Sequence, residues 1–145
     1  MVRRMWKGRL VIKGLLDKAD ATLARDAGAD GIIISNHGGR QLDGAVAALR
    51  VLPGIVAACP DIPVMLDGGV RRGTDVLKAL ALGAKFVFAG RPFAYAAAIG
   101  GSDGVLHAIA LLRAEIERDM AMLGINDVSE LHPGWLARIH GQALE

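Results

Sequence analysis

Four short runs of uninterrupted apolar residues punctuate the chain: Leu10-Val11-Ile12, Gly31 to Ile34, Pro63-Val64-Met65-Leu66 and Phe86-Val87-Phe88-Ala89. They are continuous and do not alternate with polar residues, the pattern of parallel strands covered on both faces. Helical stretches lie between them. Asp17 to Ala27 is rich in alanine and leucine, offers Asp17 as an N-cap and stops at Gly28. Ala45 to Ala58 sets Val46, Leu49, Leu52, Ile55 and Val56 on one side, with Pro53-Gly54 as a point of interruption. Gly73 to Leu82 carries Val76, Leu77, Leu80 and Ala81 at helical spacing and stops at Gly83. The order β-α-β-α-β-α-β predicts an α/β fold with a parallel sheet. Four βα units are half the number in an eight-unit barrel, and two strand edges stay unpaired, at Leu10–Ile12 and Phe86–Ala89.

The last region has a different texture. A short helix is expected from Pro92, at its first turn, to Ile99. Gly100-Gly101-Ser102 breaks it, and a longer helix follows from Asp103 to Leu123, ended by Gly124. Val105, Ile109, Leu112, Ile116, Met120 and Leu123 form one apolar stripe, and Arg113 can pair with Glu117 four residues on. One further turn is expected at Asp127 to Leu131, then a loosely held tail from Trp135. The reading divides the chain into a half-barrel over residues 1–124 and a C-terminal tail over 125–145.

The 145 residues suffice for one domain with a sizeable core. No uncharged run approaches the roughly 18 residues of a membrane span, and the basic start Met1 to Lys7 runs into a short strand, so neither a transmembrane segment nor an export signal is expected. A net charge of +2 without a Lys/Arg run gives no reason to expect nucleic acid. Cys59 is the only cysteine, which excludes an internal disulfide, suggests no cysteine metal site and fits a reducing, cytoplasmic compartment. It is expected to pack as a small apolar side chain, and Trp6 and Trp135 are expected to be packing residues, not cofactor stackers. His107, His132 and His140 have no partner at metal-ligand spacing, and Asp75 and Lys78 are expected to be solvated.

Chemistry concentrates where the strands end. Ser35-Asn36-His37-Gly38-Gly39-Arg40-Gln41-Leu42-Asp43 follows the second strand. Its glycines permit a sharp turn. Histidine moves protons near neutral pH, and arginine grips a carboxylate at two points. Together they suggest work on a small organic acid. The third strand ends at Asp67-Gly68-Gly69-Val70-Arg71-Arg72-Gly73 and the fourth at Gly90-Arg91-Pro92. Both glycine loops precede helices, so their free amides, with Arg71 and Arg91, suit a phosphate. Lys13-Gly14 closes the first strand, where a lysine either reaches solvent or points into a polar site. Parallel α/β folds place their sites at such ends.

Taken together, Leu10 to Gly14, Ser35 to Asp43, Asp67 to Asp75 and Gly90-Arg91-Pro92 resemble, in order and spacing, the FMN-dependent 2-hydroxy-acid oxidases and dehydrogenases, among them glycolate oxidase, flavocytochrome b2 and the L-lactate and mandelate dehydrogenases. The resemblance implies a (β/α)8 barrel, of which this chain matches the carboxyl-terminal half, strands five to eight. It implies FMN as cofactor and an L-2-hydroxy acid as substrate, with lactate the first choice. By the same resemblance His37 is the active-site base and Arg40 holds the substrate carboxylate. Lys13 and Ser35 contact the flavin, while Asp67, Gly68, Gly69, Val70 and Arg71, with Gly90 and Arg91, hold the ribityl chain and phosphate. The family's first four strands, with the substrate tyrosines and the aspartate that orients the histidine, have no counterpart here. The chain alone is therefore expected to be inactive, and to pair with a missing amino-terminal half or with copies of itself. Peripheral membrane association of a full-length parent stays compatible with this. Alternatives are a non-catalytic half-barrel that serves as an assembly piece, and another phosphate-binding barrel such as a flavin-dependent isomerase.

Overall fold

A computed structural model describes residues 2–137; residue 1 and residues 138–145, His140 among them, lie outside these. Four parallel strands, β1 (Val11–Leu15), β2 (Gly31–Ser35), β3 (Val64–Asp67) and β4 (Val87–Phe88), lie in sequence order. Helices α2 (Lys18–Asp26), α3 (Ala48–Ala58) and α4 (Gly73–Ala81) connect them. A short helix α1 (Val2–Met5) precedes the sheet, and α5 (Arg91–Leu123) follows it.

Register sorts the side chains into two faces. Ile12, Ile32 and Val64 align, as do Ile34, Leu66 and Val87. Of these, Ile32, Ile34, Val64 and Leu66 build the core with Ala21, Leu52, Ile55 and Cys59, all essentially sealed from solvent, while Val87 packs against it half-buried. The other face carries Val11, Lys13, Ile33, Met65, Ser35, Asp67 and Phe88. It is open: Val11 is 43% exposed and Phe88 36%. Phe86, just ahead of β4, is 56% exposed and stacks obliquely on Phe88, with ring centres 4.9 Å apart.

Several elements depart from the pattern. β1 runs on through Lys13 and Gly14 to Leu15, with an irregularity between Lys13 and Leu15. Gly14, at φ +99°, makes this shift possible. It sends Leu15 to the helical side, packed on the core, and leaves Lys13 on the open one. β4 shrinks to two residues. Pro53 does not interrupt α3, because Leu52 and Ile55 on either side are anchored in the core. The helix starts only at Ala48, which leaves Val46 40% exposed ahead of it. Asp17 caps α2 as expected, accepting from the Ala19 and Asp20 amides. Trp6 is exposed; its ring covers Gly8 and its Nε1 donates to the Arg9 carbonyl. Arg3 fastens α1 to the amino ends of the strands through Asp30, at 2.8 Å.

The two expected C-terminal helices form one kinked element, with Gly100 and Gly101 outside helical geometry. By length and composition alone α5 is apolar enough to cross a membrane, contrary to the sequence expectation. The kink divides it: 91–99 is too short to span, and 102–123 carries Arg113, Glu115, Glu117, Arg118 and Asp119. None of its residues is fully buried, so the expected stripe packs only partly, against α4, and Ile109 stays 47% exposed. Arg113 Nε meets Glu117 Oε1 at 2.6 Å. Beyond α5, Ile125 is buried, and short turns form at Val128–Glu130 and Pro133–Trp135. Trp135 is 38% exposed, with its Nε1 donating to the Glu130 carbonyl.

Candidate functional site

The carboxyl ends of all four strands surround one cleft of about 1060 Å³. Lys13, His37, Arg40, Asp67, Gly68, Gly69, Val70, Arg71, Gly90 and Arg91 all line it. Ser35 does not. It is completely buried, beneath the floor.

The floor is a charged network. Asp67 Oδ2 receives Lys13 Nζ at 2.8 Å and the Ser35 hydroxyl at 2.7 Å. Lys13 Nζ also donates to Ser35 Oγ at 3.1 Å. Burial pushes the Asp67 carboxyl up. The hydrogen bonds from Lys13 and Ser35, with the Lys13 charge, outweigh burial and hold the group below the ordinary carboxylate value.

Above the floor, His37–Gly39 forms a single 3-10 turn. His37 sits at φ +55°, the only such non-glycine residue among those described. A left-handed histidine costs energy and needs outside support. Three contacts supply it. The His37 amide donates to Ser35 Oγ at 3.1 Å, Asn36 Oδ1 accepts from the Gly38 amide at 3.1 Å, and the Arg91 guanidinium donates to the Gly38 carbonyl. The imidazole lies over Gly14, where a Cβ would stand 2.6 Å from Nε2. Among the described residues no side chain hydrogen-bonds the ring, and none pairs with the Arg40 or Arg71 guanidinium.

The two glycine loops are not equivalent. Asp75, expected to be solvated, turns back to accept from the Arg71 and Arg72 amides, both at 3.0 Å. Glu115 of α5 takes the Gly73 amide at 2.8 Å and the Arg72 side chain at 2.7 Å. The start of α4 is thus already satisfied by carboxylates, which corrects the expectation of free helical amides there. At Gly68 and Gly69 the loop amides donate to nothing described. The start of α5, at Gly90 and Arg91, has no side-chain cap and keeps its anion-attracting character. Val70 is buried in the core, so it can meet a ligand only through its backbone.

Some participants escaped the sequence reading. Asn36 braces the turn, and an Asn before His-Gly-Gly is a legible signal for such a bond. Phe88 and Tyr95 also line the cleft. Glu115 reaches α4 from 42 residues away and had no local signal.

Comparison with known proteins places this geometry. The model of the FMN-dependent dehydrogenase family matches residues 1–138. An L-lactate dehydrogenase of Caulobacter sp. (strain K31) is 49% identical over 138 residues, covering 94% of this chain and 36% of the relative. An L-lactate oxidase of Nostoc sp. is 50% identical over 128 residues, covering 88% and 35%. The solved structure of an active mutant of (S)-mandelate dehydrogenase superposes with a TM-score of 0.89 at 46% identity, over 92% of this chain and 38% of that one. A mandelate oxidase mutant bound to (S)-mandelic acid gives 0.85 at 48%, over 90% and 39%. These neighbours are (β/α)8-barrel flavoenzymes, and the four strands here form a piece of that barrel. The chain spans little more than a third of the length of the curated relatives it matches. It belongs to the FMN-dependent dehydrogenase family.

Proposed function

We propose that this chain supplies the strand-end half of an FMN-dependent oxidation of an L-2-hydroxy acid, lactate first, to the 2-oxo acid. The observation that carries this is the single cleft in which His37, Arg40, Lys13 and both glycine loops meet. The residues fit FMN by their donors. Gly69 and Gly90 are open, a Cβ on either meeting nothing within 4 Å, so a ligand can approach their backbone. The Arg71 and Arg91 side chains and the uncapped start of α5 suit its phosphate. Val70 contributes an amide, and Asp67 with Gly68 flanks the ribityl path.

When bound, FMN takes up the two electrons that leave the substrate's C2. The chain's own residues do the rest. Arg40, exposed and unpaired among the described residues, docks the carboxylate at two points. His37 accepts a proton from the substrate at an imidazole nitrogen as the two electrons leave C2. Lys13 offsets negative charge on the flavin from the floor. Relatives described as L-lactate dehydrogenases and an L-lactate oxidase support lactate.

The cofactor is tested by purifying the complete protein, releasing the bound group and identifying it by mass. FMN is expected; FAD or no flavin refutes the reading. Assays with lactate, glycolate and mandelate test the substrate, and a clear preference for either of the latter two overturns lactate.

The open face of the sheet supports a second statement. Val11, Phe86 and Phe88 leave apolar surface in water, at roughly 25 cal/mol per Å². We therefore propose that four further strands cover this face in the working protein, and that the 145-residue chain alone self-associates and does not turn over. Light scattering after size exclusion, beside the flavin-reduction assay, tests this. A compact monomer that oxidises any of the three acids refutes it.

A further inference from the structure

The loop over 68–72 and the start of α5 form two sides of the proposed phosphate site, and they follow different strands. The second arm of α5, over 102–123, links them. Gly73, at the end of the loop, lies directly on this arm: a Cβ added there would stand 2.7 Å from both the Ile116 amide nitrogen and Glu115 Cβ. Near the start of the same arm, a Cβ on Gly104 would run into the Ala96 carbonyl, so the two arms of α5 meet backbone to backbone. Gly101, at φ +58° and ψ −139°, makes the reversal between them. A continuous path of packed backbone thus leads from Gly73 to the arm that begins at Arg91.

One side chain fastens this path at the loop. Glu115 Oε2 accepts from the Gly73 amide at 2.8 Å, and Oε1 meets the Arg72 guanidinium at 2.7 Å. The Arg72 hydrogen bond, then that of the Gly73 amide, hold the Glu115 carboxyl below its ordinary value, so it stands ionised at neutral pH. The carboxylate also sorts two adjacent arginines. Arg72 is drawn to α5 and is absent from the cleft wall, while Arg71 lines the cleft with no partner among the described residues. Val70, buried in the core, pins the loop on the other side of Arg71. We infer that Glu115 is a positioning residue for the phosphate site: from outside the cleft it clasps the end of the 68–72 loop to α5, which sets the loop against the α5 start and leaves Arg71 to the cleft. This rests on the phosphate role proposed above for the two glycine loops and Arg71.

FMN and riboflavin differ only in the terminal phosphate, so the ratio of their affinities isolates the phosphate site. Flavin fluorescence quenching in the cofactor-free complete protein gives both. In Glu115→Ala, FMN affinity should fall about tenfold, the scale of one lost hydrogen bond to a charged group, with riboflavin within about twofold of wild type. Glu115→Gln keeps an oxygen for the Gly73 amide and loses only an exposed ion pair, so FMN affinity should stay within about threefold. Equal losses for the two flavins make Glu115 a packing residue of the fold and overturn the inference. Tighter FMN binding in both variants overturns it too, since Glu115 would then act only as a negative charge that repels the phosphate. If Glu115→Ala does not fold, Glu115→Asp decides: its carboxylate keeps the charge but is drawn back by one methylene, and a wild-type ratio of FMN to riboflavin affinity there refutes the clasp. A wild type that binds riboflavin as tightly as FMN removes the proposed phosphate site and this inference with it. A wild-type preference for FMN that Glu115→Ala leaves unaltered removes the inference alone.

Discussion

Gly14→Ala tests directly how the imidazole of His37 is placed. Gly14 lies in β1 at φ +99°, and its missing Cβ faces the ring. Two costs follow from an added methyl. An alanine held at that φ is strained by about 1–3 kcal/mol, which a urea titration reads as a lower midpoint. The methyl also evicts the ring. From 2.6 Å, Nε2 must retreat by roughly 0.8 Å to regain the 3.4 Å of ordinary contact. Misplacing a reacting group by about 1 Å costs on the order of 10²-fold in rate. In the complete protein kcat should fall by about that factor, with substrate Kd within about threefold because Arg40 is untouched. Stopped-flow flavin reduction gives the first number and equilibrium substrate titration the second. Turnover within about threefold of wild type refutes the reasoning, since the working ring would then not rest on Gly14.

Three further outcomes are expected. In the complete protein His37→Ala should lower kcat by about 10²–10⁴-fold with little change in substrate Kd, whereas Arg40→Lys should weaken binding itself, because lysine lacks the planar two-point grip; comparing kcat with Kd in both variants checks the split. Gly73→Ala should destabilise the fold by about 1–3 kcal/mol in urea unfolding, because its Cβ would meet the Ile116 amide at 2.7 Å and force α4 off α5. Asp67 has a carboxyl lowered from 3.8 in the folded chain, so the stability it contributes is full above that value and lost as pH falls through the depressed one. The stability gap between wild type and Asp67→Asn, followed by unfolding across acid pH, should be constant above 3.8 and shrink below it.

What the sequence showed was whatever one stretch of chain decides by itself. Continuous apolar runs announced β2 and β3 nearly to the residue, and Asp17 announced the start of α2. The strand ends announced the cleft, because parallel strands must present their last residues together. What stayed hidden depends on residues far apart. Asp75 reads locally as a solvated helix residue, yet it caps its own helix. Glu115 completes that cap across 42 residues and closes to anions a helix start that looked open to them. The bonds of the Ser35 hydroxyl to Lys13, Asp67 and the His37 amide also had no local sign, because only the register of β1 on β2 and β2 on β3 brings those groups together. Pro53 was a local warning that the burial of Leu52 and Ile55 overrode.

The two faces of the sheet tie stability to chemistry. The helical side is closed by a continuous core from Ala21 to Ala84, while the side bearing Lys13 and Asp67 opens to solvent between Val11 and Phe88. The cleft is the rim of that open side. Whatever covers the apolar surface must therefore also wall the cleft, and whatever fills the cleft bridges the cover to the strand ends. A ligand that binds only the covered form stabilises it by RT ln(1 + [L]/Kd), about 2.7 kcal/mol at a hundredfold excess over Kd. The cover in turn raises the ligand's affinity by the same coupling, since linkage is reciprocal. The His37 turn is held at positive φ by Ser35, Asn36 and Arg91. Its support comes from β2, from its own asparagine and from the start of α5, the same α5 start that offers uncapped amides to an anion.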